Sequence, residues 1–178
     1  SKLSVQQKKQ VAGIAKREVF RLAETKKFDT TLAATNVDTT KSAKDISNVI
    51  AGSDRDDREG QRIWGRYVYI NGIIDATSQT NAESLLRVFI VQSTHGALTA
   101  ANDFPDITGF HSHSKYKVLY DRTFHLVSAQ SELKRFSIYR KIPMPEIKYD
   151  QSVGVAPATG QVSVGWVANT TQASKPTI

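Results

Sequence analysis

The chain of 178 residues contains no cysteine and a single methionine. Without thiols, the fold can rely on neither disulfides nor a thiolate metal site, and a cysteine nucleophile is excluded. No apolar run approaches the roughly 20 residues that a membrane-spanning helix requires, and the chain opens with no signal-peptide pattern. Stability must therefore come from a packed core, for which a hydrophobic fraction of 39% is sufficient at this length.

Motifs of catalysis are also absent. The sequence has no G-x-S-x-G nucleophile elbow, no H-E-x-x-H zinc motif and no phosphate-binding loop of the G-x-x-x-x-G-K-[ST] type. Serine, histidine and aspartate are present, as they are in most proteins. We therefore predict that this protein is not an enzyme.

Positive charge is plentiful but unevenly distributed. The formal net charge is +7, and the first 27 residues hold eight basic side chains against two acidic ones, a local net charge of +6. Residues 28–178 carry 16 basic and 15 acidic side chains. This asymmetry predicts a basic arm that binds a polyanion, joined to a nearly neutral body.

Residues 4–27 have the pattern of an amphipathic helix with Ser4 as its N-cap. The apolar stripe, at spacings of three and four, consists of Val11, Ala15, Val19 and Leu22. The residues that we predict to contact nucleic acid are Lys8, Lys9, Lys16, Arg17, Arg21, Lys26 and Lys27. Two alternatives stay open. In the first, the helix packs on its own domain. In the second, it lies on a membrane surface, although its apolar stripe lacks the Trp and bulky Leu clusters of membrane-surface helices.

The pattern changes to one of strands after the arm. We predict a first strand in the Thr-rich segment 27–37 and one helical turn near residues 45–50. A strand over 62–76 is broken at Gly65 and Gly72, and the apolar run 84–93 reads as a buried strand. Trp64 and Trp166 lie within strand patterns and read as core residues.

The second half of the chain continues the strand pattern. The segment 115–127 alternates, with a bulge expected near residues 121–122 and one apolar face formed by Tyr116, Val118, Tyr120, Phe124 and Leu126. Further strands are predicted over 133–142, 147–150 and 161–169. A loop of about 20 residues precedes the alternating segment, and a loop of this length is expected either to have a functional role or to pack against the body. The pattern predicts an all-β fold, a two-sheet antiparallel sandwich of seven or eight strands.

One motif and its order along the chain point to a family. The pattern Gly52-x5-Arg58-x-Gly60-x-x-Ile63 leads into RIWGRYVYINGII, and LLRVFIVQS, a long loop, KYKVLYDRTFHLV and LKRFSIYRKIP follow. In this order and spacing, roughly residues 5–170 resemble the coat (capsid) protein of small icosahedral viruses. The similarity is to satellite necrosis viruses and to the jelly-roll capsids of small circular single-stranded DNA viruses.

The resemblance implies an eight-stranded antiparallel jelly roll over 28–178, with residues 1–27 as an inward-pointing arm. It implies that copies of the chain self-assemble into a simple (T=1) shell and package single-stranded RNA or DNA in a virion, with no membrane partner. Such coat proteins end in a long strand, so the last strand is expected to be truncated or very short here. The alternative from another class is a non-viral β-sandwich module that binds a carbohydrate or a receptor.

No cofactor is expected, although the resemblance leaves calcium at subunit interfaces open. The weak metal candidates are Asp54, Asp56 and Asp57, whose spacing does not match an EF-hand loop. Because Arg55 and Arg58 lie among the acidic residues of this segment, we expect local ion pairs there in preference to a metal site.

Two further sets of polar residues have ambiguous roles. The pair His111 and His113 has a chelating spacing, but zinc needs three or four ligands, so a loop or subunit contact is favoured. The strand cations either line a shell interior or are ordinary surface charges, and they are Lys115, Lys117, Arg135 and Lys141.

Overall fold

The computed structural model describes residues 4–22, 27–33, 37–52, 57–58, 60–75, 83–127, 133–149 and 157–169. An α-helix, α1 (Val5–Leu22), precedes a body of strands, and all pairing between the strands is antiparallel, which confirms the all-β class. The elements of the body are β1 (Ser42–Asp45), β2 (Arg62–Trp64), β3 (Tyr67–Asp75), β4 (Glu83–Ser93), α2 (Ala100–Asp103), β5 (Tyr116–Val127), β6 (Leu133–Lys141), β7 (Glu146–Lys148) and β8 (Val162–Ala168).

The first layer is a four-stranded sheet in the order β1-β8-β4-β5. Its central strands, β8 and β4, are rich in valine and other β-branched or aromatic residues on both faces, and almost every side chain in them is buried. A strand that is apolar on both faces is stable only between two covering layers. The continuous apolar run predicted for residues 84–93 therefore becomes the centre of the body.

The second layer is a ribbon in which β3 pairs with β6 and β2 pairs with β7. Backbone hydrogen bonds continue between the two pairs, from Gly65 N to Pro145 O at 2.7 Å and from Ile142 N to Arg66 O at 3.0 Å. Because β2 ends at Trp64 and β3 begins at Tyr67, the predicted break at Gly65 is confirmed. The predicted break at Gly72 is wrong, because Gly72 lies within β3, where the Phe136 ring occupies the space that a Cβ would need.

The main core lies between the layers and includes Val88 and Ile90 from β4, Ile74 from β3 and Ile138 from β6. Trp166 is 3% exposed and belongs to this core, as predicted.

Trp64 is 44% exposed, so its assignment to the core is wrong. Ile63 packs against the core, and successive side chains of a strand point to opposite faces. Trp64 therefore points outward from β2.

A bulge in β5 decides which of its side chains meet the core. The register with β4 shifts between Ile90 and Val91, which face Tyr120 and Val118. The extra residue in β5 is therefore Leu119, two positions before the predicted bulge. Phe124 packs in the main core, whereas Tyr116 and Val118 belong to a second apolar cluster on the other face. The prediction that all the apolar residues of this strand share one face is wrong, because one extra residue reverses the alternation.

The long loop covers the outer face of the four-stranded sheet. Phe104 from this loop packs with Phe89, Val91 and Tyr116 in the second cluster, and the ring centroids of Phe89 and Phe104 lie 5.2 Å apart. The loop therefore packs against the four-stranded sheet, which is one of the two roles predicted for it.

The segment between α1 and β2 differs most from prediction. Residues 27–33 form no strand and are exposed, whereas residues 34–36 lie outside the described part of the chain. Within the described residues the first strand is β1, which lies in the segment predicted to be irregular, and residues 46–50 form no helical turn. Strand propensity needs a partner, and β1 finds one in β8, with Ser42 opposite Trp166. The predicted final strand lies beyond residue 169, outside the described residues.

Candidate nucleic-acid interface

The helix of the basic arm begins with a reciprocal cap. Ser4 Oγ accepts a hydrogen bond from Gln7 N at 3.2 Å, and Gln7 Oε1 accepts one from Ser4 N at 2.9 Å. This arrangement is a capping box, in which two backbone donors that the helix leaves unpaired are satisfied. The prediction of Ser4 as N-cap is confirmed. The described helix extends to Leu22, and residues 23–26 of the predicted helix lie outside the described part of the chain.

The predicted nucleic-acid contacts fall into three groups. Lys8 and Lys9 lie in the first half of α1 and are exposed. The backbone of α1 also carries Lys16, Arg17 and Arg21, whose side chains, like Lys26, lie outside the described part.

Lys27 follows the helix and pairs with Asp29 at 2.9 Å. Because both side chains are more than two-thirds exposed, at 75% and 71%, this ion pair adds little stability.

The apolar residues in the first half of α1 are not packed against the body. Val5, Val11 and Ile14 are 72%, 52% and 54% exposed, and every other side chain of residues 4–15 is also exposed. An 18-residue helix with exposed apolar positions receives no tertiary support in this half. The alternative in which the helix packs on its own domain does not apply to residues 4–15.

The acidic segment contributes only one candidate metal ligand to the described residues. Asp57 lies against Gly52, whereas Asp54 and Asp56 lie outside the described part. Where the structure describes the chain, no group of three or more His, Asp or Glu side chains is arranged to hold a metal ion.

The arginine of the sequence motif has a structural environment. Arg58 is 2% exposed, its Nε donates to Val49 O at 3.1 Å, and it also donates to Gly60 O. Its guanidinium lies 4.1 Å from the centroid of the Tyr149 ring. Burial raises the pKa of Tyr149 to about 12, and its hydroxyl donates to Ser47 O at 2.7 Å. Arg58 of the motif therefore holds the described residues before β2 against the body.

A polar network that the sequence did not predict fastens the long loop to the sheet. Arg87 Nε and Nη2 donate to the two carboxylate oxygens of Asp121 at 2.9 and 2.7 Å. Arg87 Nη1 donates to the loop carbonyls of Asp106 and Gly109 at 2.8 and 2.7 Å. Planar guanidinium groups suit such bidentate contacts. The signal in the sequence was a single cation, Arg87, in the middle of the apolar stretch of β4.

His111 joins the same network. Its Nε2 lies 3.0 Å from Asp121 Oδ2 and its Nδ1 lies 3.1 Å from the Tyr116 hydroxyl. Burial lowers the pKa of His111, and the hydrogen bond from Arg87 is the main cause that lowers the pKa of Asp121. Both ring nitrogens of His111 are therefore occupied by loop-fastening contacts, while His113 is exposed.

The four strand cations do not form one surface. Lys115 pairs with Asp103 of α2 at 2.5 Å and fastens that part of the loop. Lys117 is exposed at the start of β5, in the first layer. Arg135 and Lys141 are exposed on β6, in the second layer. Because β5 and β6 belong to different sheets, these cations do not lie on adjacent strands.

The outer face of the β3–β6 sheet carries an aromatic surface that sequence reasoning missed. Tyr67, Tyr69 and Tyr139 are 53%, 60% and 57% exposed. The rings of Tyr67 and Tyr139 are stacked, with centroids 4.9 Å apart and planes inclined by 18°. Ser137 Oγ donates to the Tyr69 hydroxyl at 3.5 Å, and hydrogen bonds from Ser137 and Asn71 lower the pKa of Tyr69. The alternation Tyr-Val-Tyr-Ile-Asn was the available signal.

Neither a scan of protein-family models nor a search of curated proteins finds a match to this chain. Within the described residues, no helix is both long and apolar enough to span a bilayer.

Proposed function

We propose that this chain is a viral coat protein that self-assembles into a small icosahedral shell and packages single-stranded RNA or DNA through its basic arm, residues 1–27. The observation that carries the proposal is the first half of α1, a capped helix whose described side chains, Lys8 and Lys9 among them, are all exposed beside a nearly neutral β body. A helix whose described side chains are all exposed is suited to a polyanionic partner.

The order of the strands supports a jelly roll for the body. The first strand of the body, β1, lies beside the last described strand, β8, and a long connection separates β4 from β5. The strands β3 and β6 form the opposite layer. A sheet in which the last strand returns beside the first, opposed by strands from the middle of the chain, has the connectivity of nested Greek keys.

Assembly would bury apolar groups that the isolated chain leaves in water. Phe110 is 97% exposed, and Arg87 fastens the backbone that precedes it through the carbonyls of Asp106 and Gly109. A large apolar side chain on a loop fixed in this way is a suitable anchor for a neighbouring subunit. In a closed shell each contact can be weak, because closure makes the contacts cooperative.

The arm would act by neutralising phosphates. Lysine and arginine release the counterions that surround a nucleic acid, and this contribution needs charge density without base-specific geometry. The arm therefore attracts the genome and offsets the repulsion between its phosphates while the shell closes.

The experiment replaces the seven predicted arm contacts with glutamine in the full chain. The variant is expected to keep the far-ultraviolet circular dichroism of its strands and to lose co-purifying nucleic acid, measured as the 260/280 nm absorbance ratio of particles seen by electron microscopy. Unchanged packaging by this variant would refute the role of the arm. Purified protein that stays monomeric under all assembly conditions would refute the shell.

The exposed aromatic surface favours a second candidate, a β-sandwich module that binds a carbohydrate or a receptor. Tyr67 and Tyr139 form a stacked pair in solvent, and Trp64 is exposed on β2. Size-exclusion chromatography separates the candidates, since a shell elutes at megadalton size and a module elutes near the mass of one chain, 19.7 kDa.

A further inference from the structure

The outer face of the β3–β6 sheet combines aromatic rings with cations and hydrogen-bonding groups. We call this surface the tyrosine face, and its members are Tyr67, Tyr69, Asn71, Ile73, Arg135, Ser137, Tyr139 and Lys141. They share one face because the alternate residues of the same strands, such as Val68 and Ile138, are buried in the core. The main core therefore holds the strands that display the tyrosine face.

The register brings the rings of the two strands together. Tyr69 lies opposite Tyr139, and Tyr67 lies opposite Lys141. Tyr67 reaches diagonally across to stack on Tyr139, with ring centroids 4.9 Å apart. Each tyrosine restricts its neighbour, so the ring surfaces are arranged before any ligand arrives, and a planar ligand loses less entropy on binding.

The cations of the tyrosine face flank the rings. Lys141 lies beside Tyr67, whereas Arg135 lies opposite Ile73, at the other side of Asn71 and Ser137. Among the residues that the structure describes, neither Arg135 nor Lys141 forms an ion pair, in contrast to Lys115 with Asp103. Two cations are thus available to an anion that lies along the strands.

We propose that the tyrosine face binds single-stranded nucleic acid, with bases stacked on Tyr67, Tyr69 and Tyr139 and phosphates near Arg135 and Lys141. This proposal rests on the function proposed above and extends it, because it assigns base contacts to the body while the arm meets phosphates alone. Stacked aromatic side chains interleaved with cations are the general solution for sequence-tolerant binding of single strands.

The charges favour this occupant over a second copy of the chain. A two-fold contact between identical faces would bring Arg135 and Lys141 of one copy against the same cations of the other, and like charges across an interface are repulsive. A neutral sugar could stack on the tyrosines but would leave both cations without a partner. A nucleic acid supplies the planar rings and the anions together.

The experiment measures the binding of two fluorescein-labelled probes to the full chain, a twelve-residue oligothymidylate and an abasic strand of the same backbone and length. The double variant Tyr69→Ala/Tyr139→Ala is expected to weaken oligothymidylate binding by about tenfold or more and abasic-strand binding by less than about twofold. The variant Tyr69→Phe/Tyr139→Phe keeps the rings and is expected to bind both probes as the unaltered chain does. Ile50→Ala, which removes an exposed apolar side chain outside both the tyrosine face and the arm, is the matched control.

The results for the tyrosine face and for the arm are separable. Lys8→Gln/Lys9→Gln is expected to weaken both probes equally, and failure of that result contradicts the arm but leaves the tyrosine face. Equal effects of the tyrosine-to-alanine variant on both probes, no effect on either, or no binding of oligothymidylate by the full chain would each overturn the tyrosine face. If the tyrosine-to-alanine variant changes its elution volume but binds both probes as before, the tyrosine face is a contact between copies of the chain and the proposal is wrong. If the variant loses only the binding of glycans, the face is a sugar site and the proposal is also wrong. If the double variant does not fold, Arg135→Gln/Lys141→Gln serves instead and must weaken oligothymidylate binding.

Discussion

Arg87 shows how one buried cation can organise a long loop. Its side chain is 10% exposed and donates to Asp121 and to loop carbonyls, so its charge and its hydrogen-bond donors are paired inside the protein. The cost of burying a guanidinium is offset only when such partners are in place. The same contacts that stabilise Arg87 therefore fasten the loop over the second apolar cluster.

We expect Arg87→Met to lower the free energy of unfolding by about 3 kcal/mol, because the substitution leaves Asp121 and the carbonyls without their donor. Urea denaturation followed by circular dichroism measures this loss. Lys117→Met, which replaces an exposed cation of the neighbouring strand, should change the free energy by less than about 0.5 kcal/mol. Equal effects of the two substitutions would contradict the role of the network.

His111 makes stability depend on pH. Because burial lowers its pKa in the folded protein, the unfolded chain binds the proton more readily, and stability falls as the pH decreases below about 6.5. The loss is at most about 1.4 kcal/mol per pH unit for one proton. We expect the unaltered protein to lose more free energy of unfolding between pH 7.5 and 5.5 than His111→Gln does. Identical losses in the two proteins would rule out His111 as the cause.

At the scale of elements, β8 passes close to β4 because Gly165 has no side chain. A Cβ at this position would overlap the Phe89 ring, which packs edge-to-face against Phe104 of the loop. The glycine therefore couples the central strands to the loop that covers them. Larger residues at Gly165 must displace the second apolar cluster.

We expect Gly165→Ala to lower the free energy of unfolding by about 1–3 kcal/mol through overpacking. The loss should shrink in a Phe89→Leu background, because a smaller side chain removes the overlap, and a double-mutant cycle measures this coupling. Gly13→Ala is the contrasting substitution. Nothing lies within 4 Å of a Cβ at that helical position, so α1 should become more helical by circular dichroism without loss of stability. Additive effects of Gly165→Ala and Phe89→Leu would contradict the overlap.

At the scale of the whole molecule, charge is separated along the chain. Residues 1–27 hold a net charge of +6 of the total +7, and the body is almost neutral. If the arm binds nucleic acid, its cations should dominate the salt dependence of binding, and body cations away from the tyrosine face should not contribute.

Two charge-matched variants test this separation. Lys8→Gln/Lys9→Gln should reduce the slope of log affinity against log salt by about 1.4, since each phosphate contact on a single strand contributes about 0.7. Lys44→Gln/Lys117→Gln, which removes the same charge from exposed body positions, should leave the slope unchanged. Fluorescence anisotropy of a labelled oligothymidylate between 50 and 200 mM salt gives both slopes. Equal reductions would show that total charge, and not the arm, governs binding.

The predicted elements that match the structure are those with strong local patterns. The apolar run that became β4 and the alternating segment that became β6 have the predicted extents to within a residue, and Ser4 caps α1. The strand predicted in the Thr-rich segment is wrong for residues 27–33, and the helical turn predicted near residues 45–50 is also wrong. Local propensity decides little without a partner strand. The tyrosine face was missed because Tyr67 and Tyr139 are 72 residues apart in sequence and meet only through strand pairing.

The sequence by itself determined the all-β class, the charge separation and the capped helix, because these depend on composition and on neighbours within a few residues. Tertiary structure alone decided which strand pairs with which, the reversal of β5 at Leu119, the burial of Arg87 and the exposure of Trp64. These features are set by contacts between segments that are distant in sequence, and one inserted residue reverses which side of a strand meets the core.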